Sequence, residues 1–220
     1  MTVRAVFLDV DDTLVDYQMA SRAAFERAVG SLDGYDDFHH LDHYERFLTG
    51  EFDFQTFRDT RMAEFLARAG RHEDVPQAAE IERRRFEGLA AHYTLFDDVH
   101  RCLEALRARN LRIGLITNNE GVHQRAKLAI VGLDQLVDVI VISQEVGVAK
   151  PDARIFAHAC QLLEVRSDEA LHVGDNPYAD AEGAHLAGLR AVWLDRRAEH
   201  DGAVRPYAVI RGLHELAEHL

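Results

Sequence analysis

Short apolar segments alternate with amphipathic segments along most of the chain. The apolar segments are near-continuous, which is typical of strands buried on both faces, and they lie at 3–8, 112–117, 137–142, 170–173 and 190–194. Helical spacing of apolar residues fills the intervals near 98–109, 121–131, 152–164 and 179–187. Residues 209–220 predict a short strand followed by a final helix. The pattern predicts an α/β fold, a Rossmann-like parallel sheet with helices on both faces.

Residues 17–92 interrupt this alternation. They contain no strand pattern, and their apolar residues recur at helical spacing, as Phe54, Phe57 and Phe65 do, with glycines such as Gly30 and Gly70 between the helical segments. We therefore expect an all-helical insert at 16–93. The α/β core would then consist of residues 1–15 and 94–220.

Composition limits the possible partners. The chain has 220 residues, of which 47% are apolar and 29% charged, as expected of a globular protein with a full core. Its formal net charge of −13 argues against a nucleic-acid partner, although a local cation could still attract a small anion. The N-terminus does not resemble a signal peptide, and the apolar runs are too short to cross a bilayer. The expectation is a cytoplasmic protein without a membrane or nucleic-acid partner; its oligomeric state is left open.

The two cysteines give no sign of a metal site or a disulfide. Cys102 and Cys160 fall in helical segments, and no metal-ligand spacing joins them. We expect both to be reduced, partly buried thiols.

The first predicted strand ends in a run of carboxylates, in the segment FLDVDDTLVD at 7–16. Carboxylates this close repel one another, so a cation must lie nearby or some of them must point away. Alternation along an extended turn would place Asp9 and Asp11 on one side and Asp12 on the other. A divalent cation shared by Asp9 and Asp175 would remove the repulsion, and hard oxygen ligands favour Mg²⁺.

Polar residues also follow the other predicted strands. Because ligands bind beyond the carboxyl ends of parallel strands, these residues should meet at one edge of the sheet. The set comprises carboxylates, hydroxyls, amides and one lysine: Asp9, Asp11, Thr13, Thr117, Asn118, Asn119, Lys150, Asp175 and Asp180.

These residues resemble the four motifs of the haloacid dehalogenase superfamily of hydrolases. The first motif, D-x-D-x-T-L, matches Asp9 to Leu14, and the second, a strand ending in threonine or serine, matches Thr117 in GLITNN. The third matches Lys150 in GVAKPD, and the fourth matches GDNPYAD, with Asp175 and Asp180. The helical insert resembles the α-helical cap of this superfamily. The segments around the third and fourth motifs look most like the branch that contains pyrimidine 5′-nucleotidases and N-acylneuraminate-9-phosphatases.

The resemblance implies phosphoryl transfer through an aspartyl-phosphate, with a small phosphate ester as substrate. Asp9 would be the nucleophile, and Asp11 would protonate the leaving oxygen and then activate water. Mg²⁺ would be held by Asp9, Asp175 and the backbone carbonyl of Asp11. Thr117, Asn118 and Lys150 would bind the phosphoryl group. Asp180, just outside this set, would orient metal-bound water or Lys150.

Two other activities and one non-catalytic role are weighed against the phosphatase. An aspartate at position 11 disfavours a dehalogenase, because dehalogenases of the superfamily lack an acid there. A phosphomutase remains an alternative, although Gly174 before Asp175, where mutases usually have glutamate, favours hydrolysis. A binding or regulatory module that kept the fold is the second alternative. Such a module would be expected to lose Asp9, Asp11 or Lys150, and all three are present.

Substrate specificity is expected to depend on the insert. Tyr17, Arg22, Arg58 and Arg61 could contact the leaving group, and Arg61 is the preferred candidate because Phe57 and Phe65 lie four residues to either side. The alternative for Arg61 is a solvated arginine on a helix face.

The insert also contains a group of histidines. His39, His40 and His43 are close in sequence, in a polar context without a carboxylate pattern. A cluster on the surface is therefore expected rather than a metal site.

Overall fold

The computed structural model describes residues 2–39, 41, 43–200 and 202–220. Contacts divide the chain into two compact units. The first, here called the core unit, joins the residues up to Asp16 with Leu95–Leu220. The second, here called the helical unit, is Tyr17–Thr94.

Within the described residues, the core unit contains one six-stranded parallel sheet. Its strands are β1 (Ala5–Leu8), β2 (Arg112–Thr117), β3 (Val139–Ile142), β4 (Ala170–Gly174), β5 (Arg190–Leu194) and β6 (Ala208–Ile210). Their order is β3-β2-β1-β4-β5-β6, so the chain reverses direction across the sheet between β1 and β4. Since parallel crossovers are right-handed, this reversal places helices on both faces. The prediction of a Rossmann-like α/β core is confirmed.

Burial explains why β1 is almost entirely apolar. Alternate side chains of a strand point to opposite faces, and all four residues of β1 are fully buried. Ala5 and Phe7 pack in one cluster with Ile155 and Phe156, so this face lies under the helix Ala153–Leu162. Val6 and Leu8 are buried on the other face.

Helices connect these strands, with two departures from the sequence pattern. The helices of the core unit, numbered along the whole chain, are α6 (Val99–Ala108), α7 (Gly121–Ile130), α8 (Ser143–Val146), α9 (Ala153–Leu162) and α10 (Gly183–Leu186). The single helix expected near 179–187 is instead a π-helical turn, Pro177–Glu182, followed by α10. The final segment is a 3₁₀ helix, Leu213–His219.

Cys102 and Cys160 are free thiols and more fully buried than expected. Within the described ranges, no helix has the length and apolar character needed to cross a membrane.

The helical unit has its own apolar core. Its helices are α1 (Tyr17–Val29), α2 (Tyr35–His39), α3 (Tyr44–Leu48), α4 (Phe54–Arg68) and α5 (Ala78–Leu89). Phe25 lies at the centre of an aromatic cluster, with ring centroids 5.0–5.3 Å from those of Tyr35, Phe38 and Phe65. Asp53 caps α4 by accepting a hydrogen bond from the Thr56 amide at 2.7 Å.

The expected surface cluster of histidines is wrong for His43. This ring is buried and lies 2.7 Å from the Glu64 carboxylate. The spacing in the sequence could not show that α4 supplies an acid to this position. His39 is half-buried, and His40 lies outside the described residues.

Candidate active site

The register of β1 brings the polar strand ends of the core unit together. Leu8 pairs with Leu115 on one side and with Val173 on the other. Asp9 is therefore level with the last residues of β2 and β4, at the point where the sheet order reverses. Such a reversal opens a crevice at the carboxyl edge of the sheet, the usual place for a ligand in this type of fold.

Lys150 connects two buried carboxylates at this edge. Its Nζ donates to Asp9 Oδ1 and to Asp180 Oδ1, both at 2.6 Å, and to the Ile116 carbonyl at 2.8 Å. The His172 ring nitrogen Nε2 lies 2.9 Å from the same oxygen of Asp180. Burial lowers the pKa of His172, so the ring is neutral and donates to the ionised carboxylate. Asp180 also accepts from the Asn176 amide at 3.0 Å, so both of its oxygens are engaged.

Burial and neighbouring charges shift the pKa values of Asp9 and Asp180 in opposite directions. Burial alone would raise the pKa of Asp180, but the Lys150 ammonium and the hydrogen bond from His172 hold it well below its usual range. Burial raises the pKa of Asp9 to about 7 even though Lys150 opposes the change. Burial lowers the pKa of Lys150, but the two carboxylates outweigh this effect and raise it. Lys150 is therefore a permanent cation between Asp9 and Asp180.

Asp175 is held beside Asp9 by its backbone. Its amide donates to Thr13 Oγ1 at 3.0 Å, and its carbonyl accepts from Trp193 Nε1 at 2.9 Å. The Thr13 hydroxyl also lies 3.4 Å from Asp9 Oδ2 and 3.5 Å from Asp175 Oδ1. Burial, followed by the charge of Asp9, raises the pKa of Asp175 well above its usual range. Lys150 therefore does not fully offset the negative charge gathered here.

The arrangement of carboxylates suits a divalent cation. Ligand oxygens of Asp9, Asp175 and Asp180 lie within 4.8 Å of one another. Hard oxygen donors favour Mg²⁺, and a cation at Asp9 and Asp175 would remove the repulsion that raises their pKa values. Asp180 is the least suitable ligand of the three, because Lys150, His172 and the Asn176 amide already occupy its oxygens.

Gly174 is required by the approach of Asp180 to β4. A Cβ atom at position 174 would lie 2.2 Å from the Asp180 carboxyl carbon, far inside van der Waals contact. The glycine of the G-D sequence thus allows Asp180 to reach Lys150.

The side chain of Asp11 contacts a different lysine. Lys127 on α7 is fully buried, and its Nζ donates to both carboxylate oxygens of Asp11, at 2.6 and 2.8 Å. Asn119 Nδ2 donates to Asp11 at 3.1 Å. The Asp11 side chain keeps about a quarter of its surface exposed. The Asp11 carboxylate thus remains accessible to solvent while Lys127 and Asn119 fix its position.

A buried glutamine, Gln124, links Thr117 to Lys127 and Asn119. Gln124 Nε2 donates to Thr117 Oγ1 at 2.9 Å, and its carbonyl oxygen accepts from Lys127 at 2.8 Å and Asn119 at 2.9 Å. Thr117 is the acceptor in this bond, so its hydroxyl hydrogen can be donated elsewhere. The Asn118 side chain binds the backbone of Lys150 on both sides, donating to its carbonyl at 2.9 Å and accepting from its amide at 2.8 Å.

The carboxylates after β1 are therefore separated by pairing with different cations. Asp9 pairs with Lys150, Asp11 with Lys127, and Asp12 with Arg197 at 3.4 Å. The sequence analysis identified Lys150 but neither Lys127 nor Arg197. A signal existed for Lys127, because Gly121, Gln124 and Leu128 share its buried helix face and α7 begins just after the second motif. No sequence signal identified Arg197.

Arg61, the remaining predicted site residue, belongs to the helical unit. It is 9% exposed, so the alternative of a solvated helix-face arginine is wrong. Its guanidinium carbon lies 4.3 Å from the centroid of the Phe38 ring and 4.7 Å from that of Phe57.

Comparison with known proteins identifies the family. The sequence profile of the haloacid dehalogenase-like hydrolases matches residues 3–188. The chain belongs to this family. A Mycobacterium tuberculosis phosphatase is 32% identical over 93% of this chain and 94% of that protein. The phosphoserine phosphatase of Thermus thermophilus is 40% identical over 64% of this chain, a match that spans 55% of that protein.

A solved structure agrees with the fold. A Bacillus subtilis hydrolase of the family, crystallised with magnesium, superposes with a TM-score of 0.84 at 23% identity, covering 100% of this chain and 99% of that one. These comparisons confirm the predicted family, the predicted fold and the prediction of a phosphatase. The predicted branch is also confirmed. The relatives include mouse N-acylneuraminate-9-phosphatase, 28% identical over 97% of this chain and 92% of that one. The Escherichia coli pyrimidine 5′-nucleotidase is 38% identical over 53% and 52%, respectively.

Proposed function

We propose that this protein is a Mg²⁺-dependent phosphatase that hydrolyses small phosphorylated metabolites through an aspartyl-phosphate on Asp9. The observation that carries the proposal is the placement of Asp9. One carboxylate oxygen binds the buried Lys150 ammonium, and the other lies 3.4 Å from the Thr13 hydroxyl, which is itself 3.5 Å from Asp175 Oδ1. A carboxylate attacks phosphorus effectively only when it is held in line and its charge is balanced.

The proposed attacking atom is one carboxylate oxygen of Asp9, and the other oxygen is left to bind the metal. Attack forms the bond from that carboxylate oxygen to phosphorus and breaks the bond from phosphorus to the ester oxygen. The Thr117 hydroxyl donates to a phosphoryl oxygen, as we propose also for Asn118 through its backbone amide. Lys150, whose three hydrogens are donated to Asp9, Asp180 and the Ile116 carbonyl, acts on the phosphoryl group through its charge. Donors fixed before reaction stabilise developing charge without reorganisation.

Asp11 is the proposed acid and base. It gives a proton to the departing ester oxygen, and then takes one from the water that cleaves the aspartyl-phosphate. Water attack releases inorganic phosphate and restores Asp9. The partial exposure of Asp11 and its fixed position against Lys127 support this role.

The metal site is proposed at Asp9 and Asp175, with the backbone carbonyl of Asp11 as a further ligand. When bound there, Mg²⁺ supplies positive charge to the transferring phosphoryl group. The close carboxylates and their raised pKa values support this assignment. Asp180 is proposed to hold Lys150 in place, because its own oxygens are already engaged.

The proposed substrates are nucleoside monophosphates or sugar phosphates. Their support comes from the relatives, which include a pyrimidine 5′-nucleotidase, N-acylneuraminate-9-phosphatases and a ribulose-1,5-bisphosphate 5-phosphatase from Halopiger xanaduensis. A screen of phosphorylated metabolites would identify the preferred ester.

Asp9→Asn tests the covalent mechanism. The amide cannot attack phosphorus, so kcat for p-nitrophenyl phosphate with Mg²⁺ should fall by roughly 10³-fold or more. Asp97→Asn, the same change at an exposed position of the core unit, should retain wild-type turnover. Wild-type kcat in folded Asp9→Asn protein would contradict the mechanism, and thermal unfolding would establish that the variant is folded.

A further inference from the structure

Gln124 on α7 is completely buried, and both polar atoms of its side-chain amide form hydrogen bonds. The amide oxygen accepts from Lys127 Nζ at 2.8 Å and from Asn119 Nδ2 at 2.9 Å. The amide nitrogen donates to Thr117 Oγ1 at 2.9 Å. This one side chain therefore connects the residues that fix Asp11 with the hydroxyl at the end of β2.

Lys127 determines which way round the Gln124 amide lies. An ammonium group can only donate, so the atom of Gln124 that faces it must be the oxygen. Lys127 is held in turn by both carboxylate oxygens of Asp11, at 2.6 and 2.8 Å. A turned amide would place N–H donors against this ammonium. The nitrogen of Gln124 must therefore face Thr117.

The Thr117 hydroxyl is consequently an acceptor on the side of Gln124. Its own hydrogen cannot point at an N–H donor, so it points elsewhere. Thr117 is 1% exposed, and within the described residues its hydroxyl donates to no protein group. A buried donor that lacks an acceptor is costly. This hydrogen therefore suits an oxygen of a ligand bound at the carboxyl edge of the sheet.

We propose that Gln124 is a positioning residue that directs the Thr117 hydroxyl hydrogen towards the transferring phosphoryl group. Gln124 does not touch the ester itself. Its contribution is preorganisation, because a donor that is aimed before the reaction stabilises developing negative charge without reorienting. This inference rests on the proposed function, since the acceptor of the hydrogen is taken to be a phosphoryl oxygen.

Gln124→Glu tests the direction of this hydrogen bond. Glutamate has the shape of glutamine, but a carboxylate oxygen replaces the donor that faces Thr117. The Lys127 ammonium keeps this carboxylate ionised, so the Thr117 hydroxyl would donate to it and present a lone pair to the ester. In the presence of Mg²⁺, kcat/KM for p-nitrophenyl phosphate should fall by roughly 10- to 100-fold, as in Thr117→Val.

Gln124→Met should have a smaller effect than Gln124→Glu. Methionine leaves the Thr117 hydroxyl undirected but free to donate, so kcat/KM should fall only about three- to tenfold. A purely structural role for Gln124 predicts instead that the folded fraction of both variants has wild-type kcat/KM. That result, or a larger loss in folded Gln124→Met than in folded Gln124→Glu, would overturn the proposal.

Inorganic phosphate provides a second measurement, because the same donor would contact the product. Its inhibition constant should rise in Gln124→Glu, and an unchanged constant would count against the proposal. Gln161→Glu is the matched control, since it makes the same change at an exposed position of α9. This variant should retain the wild-type kcat/KM and inhibition constant.

A double-mutant cycle decides the question if the buried glutamate prevents folding. If Gln124 acts through Thr117, Gln124→Met should reduce kcat/KM less in Thr117→Val protein than in the wild type. Equal reductions in the two backgrounds would show that Gln124 does not act through Thr117, and the proposal would be dropped.

The outcomes separate this inference from the proposed function. Turnover that requires Asp9 but is unaffected by either Gln124 variant would overturn the inference and leave the proposed phosphatase in place. A wild-type protein that neither hydrolyses an ester nor binds inorganic phosphate would overturn the proposed function, and this inference with it.

Discussion

At the scale of single residues, the candidate site depends on pairing Asp9 and Asp11 with different lysines. Asp9 and Asp11 are two residues apart, yet their lysines come from different parts of the chain, Lys150 after β3 and Lys127 from α7. Each lysine is buried, so its charge acts with little screening by solvent. In the proposed mechanism, this separation allows one carboxylate to act as nucleophile while the other serves as acid and base.

Lys127→Met tests the role of the second pair. Without the ammonium, Asp11 loses the group that fixes its carboxylate, and kcat for p-nitrophenyl phosphate should fall by about 10- to 100-fold. KM should change less, because Lys127 acts through Asp11 rather than on the ester. Arg125→Met is the control on the same helix, since Arg125 pairs with Glu145 at the surface.

A purely structural role for Lys127 predicts a different outcome. The variant would then unfold at lower temperature while kcat of the folded fraction, and its dependence on pH, stayed at wild-type values. A positioning role changes the pH dependence of kcat/KM in Lys127→Met and leaves that of Arg125→Met unaltered. Partial recovery of kcat in Lys127→Arg would further support positioning.

At the scale of secondary-structure elements, hydrogen bonds to Asp98 connect three segments of the core unit. It lies at the start of α6 and accepts from Arg196, at 3.0 and 2.8 Å, and from the Leu213 amide at 2.9 Å. Arg196 also donates to the Thr13 carbonyl at 2.9 Å. The loop after β5 and the final 3₁₀ helix are thus tied to the turn that carries the first motif.

Asp98→Asn should destabilise the protein by about 1–2 kcal/mol at pH 7, with the partial exposure of the pair limiting the effect. Partial burial raises the pKa of Asp98, but the hydrogen bonds from Arg196 and Leu213 outweigh it and hold the pKa below its usual value. A depressed pKa stabilises the fold above the unfolded-state value of about 4, and this contribution is lost as pH falls through the folded-state pKa.

The difference in free energy of unfolding between wild type and variant should therefore be constant near neutral pH and shrink in acid. Urea unfolding at several pH values would measure it, with Asp97→Asn as the exposed neighbouring control. A difference that grew as the pH fell would contradict this account of Asp98.

At the scale of the whole molecule, the net charge is negative, but two buried cations lie among the carboxylates of the candidate site. The chain carries a formal charge of −13, yet Lys127 and Lys150 are both buried in the core unit. Net charge therefore excludes nucleic-acid binding more readily than it excludes a small anion. Close carboxylates beside buried cations would instead recruit a metal ion and a phosphate ester.

Metal binding should stabilise the protein as well as support its activity. Mg²⁺ at about 100 times its Kd would add about 2.7 kcal/mol to the free energy of unfolding, which corresponds to a Tm increase of roughly 5–10 °C. Asp175→Asn should remove most of this increase. Chelation with EDTA should abolish phosphate release, and added Mg²⁺ should restore it. Full activity after exhaustive chelation, or an equal Tm increase in Asp175→Asn, would contradict the proposed metal site.

The sequence by itself determined the architecture and the edge of the sheet that carries the candidate site. Apolar runs such as 3–8 can be buried only between two covered faces, and parallel strands place all their carboxyl ends at one edge. The sequence alone therefore assigns Asp9, Thr117, Lys150 and Asp175 to one edge of the sheet.

Only the tertiary structure decided which charges meet. Lys127 lies 116 positions from Asp11 and Arg197 lies 185 positions from Asp12, and their long side chains come together only because α7 and the loop after β5 pack beside the first motif. The same holds for Arg58 and Arg61, whose helical spacing suits a solvated face equally well. Their burial depends on aromatic rings supplied by other segments of the helical unit, Phe38 and Phe86, and spacing along one helix does not encode that packing.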